Sequence, residues 1–261
     1  EMAKRVTRFY KRQSASAATK LFGRLVPENR SDLSEPPRPT PLSQQINNMS
    51  VTSFEDYLRC PYRFYLKHVL GLSLLNDDNR ELDALQFGVL AHDLFSAFAS
   101  SSYSECTDAR EIQDFFEKKL ERETFLRFGK KPLPTVRLQL EQLRARLQAF
   151  SKWQASWSYE GWRIKYNELS LSGDGFSLAL DDGQVMGVSG RIDRIDYNEK
   201  TGAWVVLDYK TSDRALDPKK KHLTADNDWK DLQLPLYVSA LKASSLQSID
   251  LSQLATGYLN I

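Results

Sequence analysis

The sequence predicts an α/β protein in which a mixed β-sheet core is flanked by helices and preceded by an N-terminal helical subdomain. Apolar residues recur at helical spacing over about 51–160, whereas over about 161–261 most of them alternate as in strands. Within the second part, a helical segment at about 229–243 separates a group of strands from a last apolar run. This order of helices, strands, helix and strand is typical of a mixed α/β core with a helical layer.

The composition supports a folded domain and excludes several classes of protein. Of the 261 residues, 41% are apolar and 11% aromatic, which is enough for a hydrophobic core. The net charge of +2 is far from the strongly basic balance of a histone-type binder. No apolar run approaches the roughly 18–20 residues of a membrane span, and no signal peptide opens the chain, so we expect a soluble intracellular protein. Cys60 and Cys106 have no paired spacing, which argues against a disulfide scaffold or a closed zinc site.

Residues 1–50 are interpreted as a linker or arm that leads from an upstream region. Four of the seven residues in the segment 35–41 are proline, and such a segment cannot sustain a helix or a central strand. The chain opens on Glu1 and stops within a predicted strand at Ile261. We therefore expect a piece of a longer protein that is truncated at its C-terminus.

The helical part begins where the folded domain is predicted to start. Thr52 and Glu55 form a predicted capping box at the start of the first helix. Longer helices are predicted over residues 84–99, 108–128 and 135–158. The first of these three has the apolar markers Leu85, Val89, Leu94 and Phe98, and the last has Val136, Leu140, Leu143, Leu147, Phe150 and Trp157.

The strands follow Gly161. Alternating apolar residues predict strands over residues 162–169, 176–180, 184–197 and 203–209. Turns are predicted at Asp182-Gly183 and at 200–202. The helix at 229–243 follows, and a last strand is predicted from Thr256.

Two aspartates and a lysine lie near the ends of two predicted neighbouring strands. Asp193 ends the run Gly-Arg-Ile-Asp, and Asp208 follows an apolar run fifteen residues later. Two carboxylates at this spacing can hold a hard divalent cation, for which oxygen ligands suit Mg²⁺ or Mn²⁺ better than zinc. Lys210 points to the same face of its strand as Asp208, because side chains alternate. A metal ion and an ammonium group in one pocket are suited to polarising a phosphodiester and generating a hydroxide.

Further candidate residues lie on predicted helices and on the first strand. His92 lies in the middle of a helix, four residues after Gly88, which would permit close approach of another backbone. Gln233 and Tyr237 lie four residues apart and so share one helical face. Glu168 lies on the first predicted strand. The structural alternatives are a partly buried histidine and an ordinary core tyrosine.

Together these motifs resemble the PD-(D/E)XK nuclease superfamily, specifically its RecB/AddB-type branch, which includes the CRISPR adaptation nucleases. The matching signature is GxxxH, GxID, DxK and QxxxY, in this order and with similar gaps, over about residues 50–261. A DxK alone occurs by chance in many proteins, whereas the four motifs in order are specific. The resemblance implies a restriction-endonuclease-like nuclease domain over 51–261, with a helical part over 51–160 and a catalytic α/β core over 161–261.

The resemblance also implies roles for individual residues. His92, Asp193 and Asp208 would ligate the metal, with the backbone carbonyl of Tyr209 as a further ligand. Lys210 would position or help deprotonate the attacking water and would act with the two aspartates as the catalytic set.

The remaining motif residues have less direct implied roles. Gln233 and Tyr237 would contact the nucleic-acid backbone or brace the site, and Glu168 would be an accessory residue. Lys219–Lys221 lie in a predicted polar loop, where they would guide DNA or be solvated surface.

The function implied is that of a Mg²⁺- or Mn²⁺-dependent deoxyribonuclease, an exonuclease rather than an endonuclease. It would belong to a helicase–nuclease of DNA end processing or recombination repair. Its partners would be single-stranded DNA or duplex ends and a fused or associated helicase. The main alternative is a catalytically silent nucleic-acid-binding module, against which the intact Asp193, Asp208 and Lys210 argue. A hydrolase of another phosphoester is a third interpretation, which no Walker loop, GxSxG or HExxH motif supports.

Members of this branch often bind a 4Fe-4S cluster through one cysteine before the nuclease motifs and three after them. Cys60 occupies the position of the first cysteine, whereas Cys106 matches none of the others. The C-terminal three would fall beyond Ile261, so we expect that the cluster cannot be built from this chain alone. The alternative for Cys60 is a buried structural thiol.

Overall fold

A computed structural model describes most of the chain from residue 46 onward. The described residues are 39, 46–72, 81–171, 176–179, 185–212, 217–243, 252 and 254–261. The basic N-terminal stretch, most of the proline-rich segment and the predicted Asp182-Gly183 turn lie outside them. Within the described ranges, every helix is too short or too polar to cross a lipid bilayer.

The described fold begins with a short strand and two short helices. These are β1 (Asn48–Ser50), α1 (Val51–Arg59) and α2 (Pro61–Phe64), and a π-helical turn over Tyr65–Val69 follows. The Ser50 hydroxyl caps α1 by accepting a hydrogen bond from the Ser53 N–H at 3.1 Å. The predicted Thr52–Glu55 capping box is therefore wrong, because the chain leaves β1 and enters the helix two residues earlier.

Three long helices form the helical part of the domain. They are α3 (Ala84–Ala99), α4 (Ala109–Phe128) and α5 (Pro134–Tyr159), and each end lies within one residue of its prediction. Asp83 and Gln86 make a reciprocal capping box at the start of α3. Local capping and amphipathic spacing thus define these helices.

The predicted apolar stripes are confirmed on α5 and only in part on α3. On α5, five of the six predicted residues are buried: Val136, Leu140, Leu143, Leu147 and Phe150. On α3, Leu94 and Phe98 are fully buried, whereas Leu85 is 75% exposed and Val89 is 45% exposed. Leu85 and Val89, two of the apolar markers of the predicted helix, are exposed because the first half of α3 lines an open cleft.

Among the described residues, the main sheet has four strands in the order β2-β5-β6-β7. They are β2 (Trp162–Ser170), β5 (Arg191–Asn198), β6 (Trp204–Lys210) and β7 (Leu254–Asn260). β5 pairs antiparallel with β2 and β6, while β7 runs parallel to β6. One core cluster joins the three long helices to Tyr209 of β6, and the other joins α1 to Ile195 and Val206 of the sheet.

A second, three-stranded sheet has the order β1-β4-β3. It contains β3 (Ser177–Ala179) and β4 (Val185–Ser189), with β4 parallel to β1 and antiparallel to β3. The single strand predicted over 184–197 is therefore wrong, since Gly190 separates β4 from β5 and the two strands join different sheets. A Cβ atom at Gly190 would lie 2.8 Å from Val51 Cγ2, so close packing against α1 requires glycine at the break.

Two helices complete the described fold, namely α6 (Pro218–His222) and α7 (Gln233–Ala243). The basic run predicted as a loop lies in α6. α7 begins four residues later than predicted, because Trp229 forms an isolated β-bridge with Leu223. Asp231 then accepts a hydrogen bond from the Gln233 N–H at 2.8 Å and caps the new start. The predicted class, a mixed α/β core flanked by helices, is confirmed.

Candidate active site

The candidate site lies where β5 and β6 separate. Arg194 and Leu207 form the last register pair of these strands towards the site. Beyond this pair, the Asp193 carboxylate accepts a hydrogen bond from the Tyr209 N–H at 2.9 Å. This side-chain oxygen of Asp193 accepts the hydrogen bond that a backbone carbonyl would accept if the two strands continued to pair. The bond fixes the Asp193 carboxylate at the strand end.

Three potential metal ligands cluster beside this strand end. One ligand atom from each of His92, Glu168 and Asp193 lies within 4.8 Å of the other two. His92 comes from α3, and its Nδ1 lies 3.7 Å from Asp193 Oδ1, which is beyond hydrogen-bonding distance. The cluster thus combines one nitrogen and two oxygen donors from α3, β2 and β5.

Glu168 reaches the cluster through an unusual backbone conformation. Its φ of 54° lies in the left-handed region, which is costly for a residue other than glycine. Glu168 sits between the register pairs of Asn167 and Leu169 with β5, and its carboxylate pairs with Arg191 Nε at 2.5 Å. The sequence predicted Glu168 as an accessory residue, and the structure places it among the potential ligands.

Asp208 and Lys210 form a second, adjoining group on β6. Lys210 Nζ lies 2.6 Å from Asp208 Oδ2 and donates a hydrogen bond to Gln233 Oε1 at 2.8 Å. Gln233 in turn donates through Nε2 to Asp208 Oδ1 at 2.6 Å. One oxygen of Asp208 therefore accepts a hydrogen bond from Gln233, and the other forms an ion pair with the Lys210 ammonium group.

Tyr237 connects this group to the start of β5. Its hydroxyl lies 3.1 Å from Gln233 Nε2 and donates to the backbone carbonyl of Arg191 at 2.8 Å. Gln233 and Tyr237 share one face of α7, as predicted from their spacing. In the structure both side chains brace site residues.

Burial and mutual repulsion shift the pKa values of the acidic groups upwards. Burial, together with the neighbouring Asp208 charge, raises the pKa of Asp193 to about 8. Burial also raises the pKa of Asp208, although the neighbouring Lys210 lowers it in part. The pKa of Glu168 is raised for the same reason, while burial lowers the pKa of His92. The surroundings of the cluster therefore disfavour the charged forms of both its imidazole and its carboxyl groups.

The site opens into a cleft of about 560 Å³. Its walls come from the start of α1, the first half of α3 and the ends of β5, β6 and α7. Gly88 lies on this wall, but a Cβ atom there would meet Thr211 Oγ1 at 3.7 Å, an ordinary contact. The predicted close backbone approach at Gly88 is therefore wrong.

A family model described as the PD-(D/E)XK nuclease superfamily matches residues 48–261. The chain belongs to this superfamily. A relative from Clostridium acetobutylicum, named as one subunit of an ATP-dependent helicase/deoxyribonuclease, is 24% identical over 210 residues. The match covers 74% of this chain and 17% of the relative, so the chain spans about a sixth of that protein's length. The predicted restriction-endonuclease-like architecture is confirmed.

Within this PD-(D/E)XK fold, the side chain of Tyr209 supports the candidate site through ring contacts that the sequence did not predict. Its ring stacks on Phe95 at 4.7 Å between centroids and meets His92 edge-on at 5.7 Å. Its N–H binds Asp193, whereas the metal-binding role of its carbonyl stays a prediction. Tyr209 thus packs α3 against β6 and holds His92 near Asp193.

The two cysteines lie outside the nuclease cleft. Cys60 lies between α1 and α2, where it is partly exposed. Cys106 is also partly exposed, and its thiol contacts Asp108 and Glu111. Both cysteines are free thiols.

Proposed function

We propose that this chain is the metal-dependent nuclease module of a DNA-processing protein and hydrolyses DNA phosphodiester bonds. The observation that carries this proposal is that His92 and Asp193 line one cleft with the Asp208–Lys210 pair, and that Glu168 joins them as a third potential metal ligand. The superfamily is one of nucleases, and this arrangement supplies both ligands for a dication and an ammonium group.

The donor set fits Mg²⁺ or Mn²⁺. Carboxylate oxygens are preferred by both ions, and one imidazole favours Mn²⁺ without excluding Mg²⁺. Ligand atoms that share one ion at about 2.1 Å are separated by up to about 4.2 Å, so small side-chain movements would suffice. Burial raises the pKa values of Asp193 and Glu168 because it disfavours their charged forms, and a bound dication would stabilise those forms.

Asp208 joins this ligand set in our proposal, as the family motif implies, and it also orients Lys210. A bound dication would polarise a phosphoryl oxygen and lower the pKa of a bound water. Lys210 places a positive charge where negative charge develops during phosphodiester hydrolysis. Asp208 and Gln233 fix the direction of its ammonium group, and Tyr237 braces Gln233. In this proposal Gln233 and Tyr237 brace the site rather than recognise the nucleic acid.

The larger context of the module is also part of the proposal. The relative from Clostridium acetobutylicum is named as part of a helicase/deoxyribonuclease. We infer that residues 48–261 act in a similar assembly, on single-stranded DNA or duplex ends and as an exonuclease, with residues 1–50 as an arm. A fused or associated helicase would deliver the strand, and the DNA substrate implies an intracellular location.

Cleavage of end-labelled single-stranded and duplex DNA with Mg²⁺ or Mn²⁺ tests the activity. We expect Asp208→Ala and Lys210→Met to lower kcat at least about 10²-fold, because each removes charge stabilisation of the transition state. Asp114→Asn and Lys242→Met are matched controls, since both side chains are exposed on helices away from the cleft, and they should cleave as the parent does. The position of the label in the products reports exonuclease polarity.

Two outcomes would contradict the proposal in different ways. Cleavage that survives in both Asp208→Ala and Lys210→Met would place the activity elsewhere. A parent chain that binds DNA with either metal and never cleaves it would support the catalytically silent binding module instead.

A further inference from the structure

A tyrosine on the last strand lies against the ammonium group of Lys210. Tyr258 of β7 is the register partner of Asp208 on β6. Lys210 Nζ lies over the Tyr258 ring at 4.9 Å from its centroid, within the range of a cation–π interaction. The ammonium group is thus held by an ion pair with Asp208, a hydrogen bond to Gln233 and one aromatic face.

Tyr258 is itself held by a buried histidine from α6. The Tyr258 hydroxyl lies 2.9 Å from His222 Nε2, and the two rings stack at 5.8 Å. His222 is only 6% exposed, and its Nδ1 lies 2.8 Å from the backbone carbonyl of Asp231. Nothing in the DxK or QxxxY pattern points to either residue.

The Asp231 carbonyl defines the direction of the first hydrogen bond of His222 and, for a neutral imidazole, that of the second. A carbonyl oxygen can only accept, so His222 Nδ1 carries a proton and donates it to Asp231. In the neutral imidazole Nε2 is then an acceptor, and the Tyr258 hydroxyl donates to it. A phenol that donates its proton is richer in electrons, which strengthens the attraction of its ring for a cation.

The backbone around His222 is anchored as well. Its carbonyl accepts a hydrogen bond from the Lys230 N–H at 2.9 Å. Lys221 Nζ lies 3.0 Å from Asp231 Oδ2, which ties α6 to the segment before α7. His222 therefore presents a fixed imidazole to Tyr258.

We propose that Tyr258 and His222 are positioning residues, which hold the Lys210 ammonium group against Asp208 and Gln233 for reaction at the cleft. This inference rests on the proposed nuclease function. A lysine side chain has four rotatable bonds, and its freedom must be restricted before its charge can act at one point. The aromatic face closes one side of the ammonium group without competing for its hydrogen bonds.

Steady-state cleavage by variants of the whole chain tests the role of Tyr258. We expect Tyr258→Leu to lower kcat about tenfold through loss of the ring contact, with KM for DNA and the half-saturating Mn²⁺ concentration within about twofold of the parent values. Tyr258→Phe keeps the ring and loses one hydrogen bond, so kcat should fall only about threefold.

The role of His222 is tested by a second substitution. His222→Leu, which has no acceptor for the Tyr258 hydroxyl, should match Tyr258→Phe, and the double variant should show no further loss because both remove one shared contact. A double variant whose losses multiply would show that His222 does not act through the Tyr258 hydroxyl.

Tyr197→Leu is the matched structural control. Tyr197 is a tyrosine of the same sheet that packs on Trp204 at 4.7 Å and has Lys165 Nζ over its ring at 5.9 Å. It lies outside the cleft lining, so its loss should lower stability without lowering kcat. A kcat for Tyr197→Leu as low as that of Tyr258→Leu would indicate a general packing effect and overturn the proposal.

A double-mutant cycle with Lys210 separates positioning from packing. In a Lys210→Met background, Tyr258→Leu should leave the residual kcat within about twofold, because the group that it positions is gone. A full tenfold loss in that background, or no loss in the parent background, would overturn the proposal.

A crystal structure of Tyr258→Leu keeps this inference separate from the nuclease assignment. A parent chain without cleavage would contradict the proposed function alone. The position of Lys210 Nζ in the variant then decides the present inference. Displacement from Asp208 and Gln233 would support it, and an unchanged position would overturn it.

Discussion

Asp193 and Asp196 lie three residues apart on β5, and both are buried, but their surroundings differ in charge. Asp196 accepts two hydrogen bonds from the guanidinium of Arg194, at 2.7 and 2.6 Å, and one from Trp157 Nε1 at 2.7 Å. Asp193 accepts one from the Tyr209 N–H and has Asp208 and Glu168 as acidic neighbours. One strand thus contains a fully compensated carboxylate and one that faces other acids.

The difference shows how the same residue type serves stability and chemistry. The Arg194–Asp196 pair is completed by Gln154, whose Oε1 accepts from Arg194 Nη1 at 2.8 Å, and by Trp153 beneath the guanidinium. Such a pair has no capacity left for a ligand. Asp193 is kept without an equivalent cation, at a cost in folding free energy that a bound dication would offset.

The largest change in the free energy of unfolding is expected when the Arg194–Asp196 ion pair is broken. Asp196→Ala should lower the free energy of unfolding by roughly 3–5 kcal/mol, because it leaves the fully buried Arg194 charge without its partner. Urea unfolding followed by circular dichroism measures this, with Asp114→Ala as the exposed control. A loss below about 1 kcal/mol, the usual value for a surface ion pair, would mean that the pair is not part of the core.

A smaller change in the free energy of unfolding is expected when the cluster of His92, Glu168 and Asp193 binds a metal ion. At about 100 times the dissociation constant, Mn²⁺ should raise the free energy of unfolding of the parent by about 2.7 kcal/mol. Asp193→Asn should lose most of this gain, because a neutral amide replaces a ligand carboxylate. Asp114→Asn should keep it. Equal stabilisation of Asp193→Asn and the parent would place the metal elsewhere.

The smallest change in the free energy of unfolding is expected in the metal-free protein as the pH changes. The pKa of Asp193 is about 8 in the folded chain and near 3.8 when unfolded, so the folded state binds more protons between these values. Its contribution to stability is therefore present at low pH and is lost as the pH rises through about 8.

Asp193→Asn, which cannot ionise, removes this dependence. From about pH 5.5 to pH 6.5, with a chelator present, the parent should lose on the order of 1 kcal/mol of unfolding free energy relative to Asp193→Asn. Urea midpoints at the two pH values measure the difference. A parent that gains stability relative to the variant over this range would contradict the assigned environment of Asp193.

Local patterns in the sequence predicted the long helices well. The predicted ends of α3, α4 and α5 lie within one residue of the observed ones, because amphipathic spacing and capping are written in neighbouring residues. Errors arose where a distant contact decided the outcome. Gly190 ends a strand because Val51 packs against it, and α7 starts late because Trp229 pairs with Leu223.

In the candidate site, too, some features follow from local sequence patterns and others depend on distant contacts. By itself, the sequence determined the fold class, the superfamily through four ordered motifs, and the positions of His92, Asp193, Asp208, Lys210, Gln233 and Tyr237. Residue type and spacing were sufficient for these, because each motif spans at most five neighbouring residues. The roles of the individual residues stay predictions.

Only the tertiary structure decided how these groups are combined. It placed Glu168 with His92 and Asp193, and it engaged both oxygens of Asp208 with Lys210 and Gln233. It also brought Tyr258 of β7 against Lys210 and left Asp193 without the kind of partner that Asp196 has. The burial, charge compensation and pKa of each group depend on which strands and helices meet in space. Residues that lie tens of positions apart in the sequence meet there, and their local sequence patterns do not specify the distance between them.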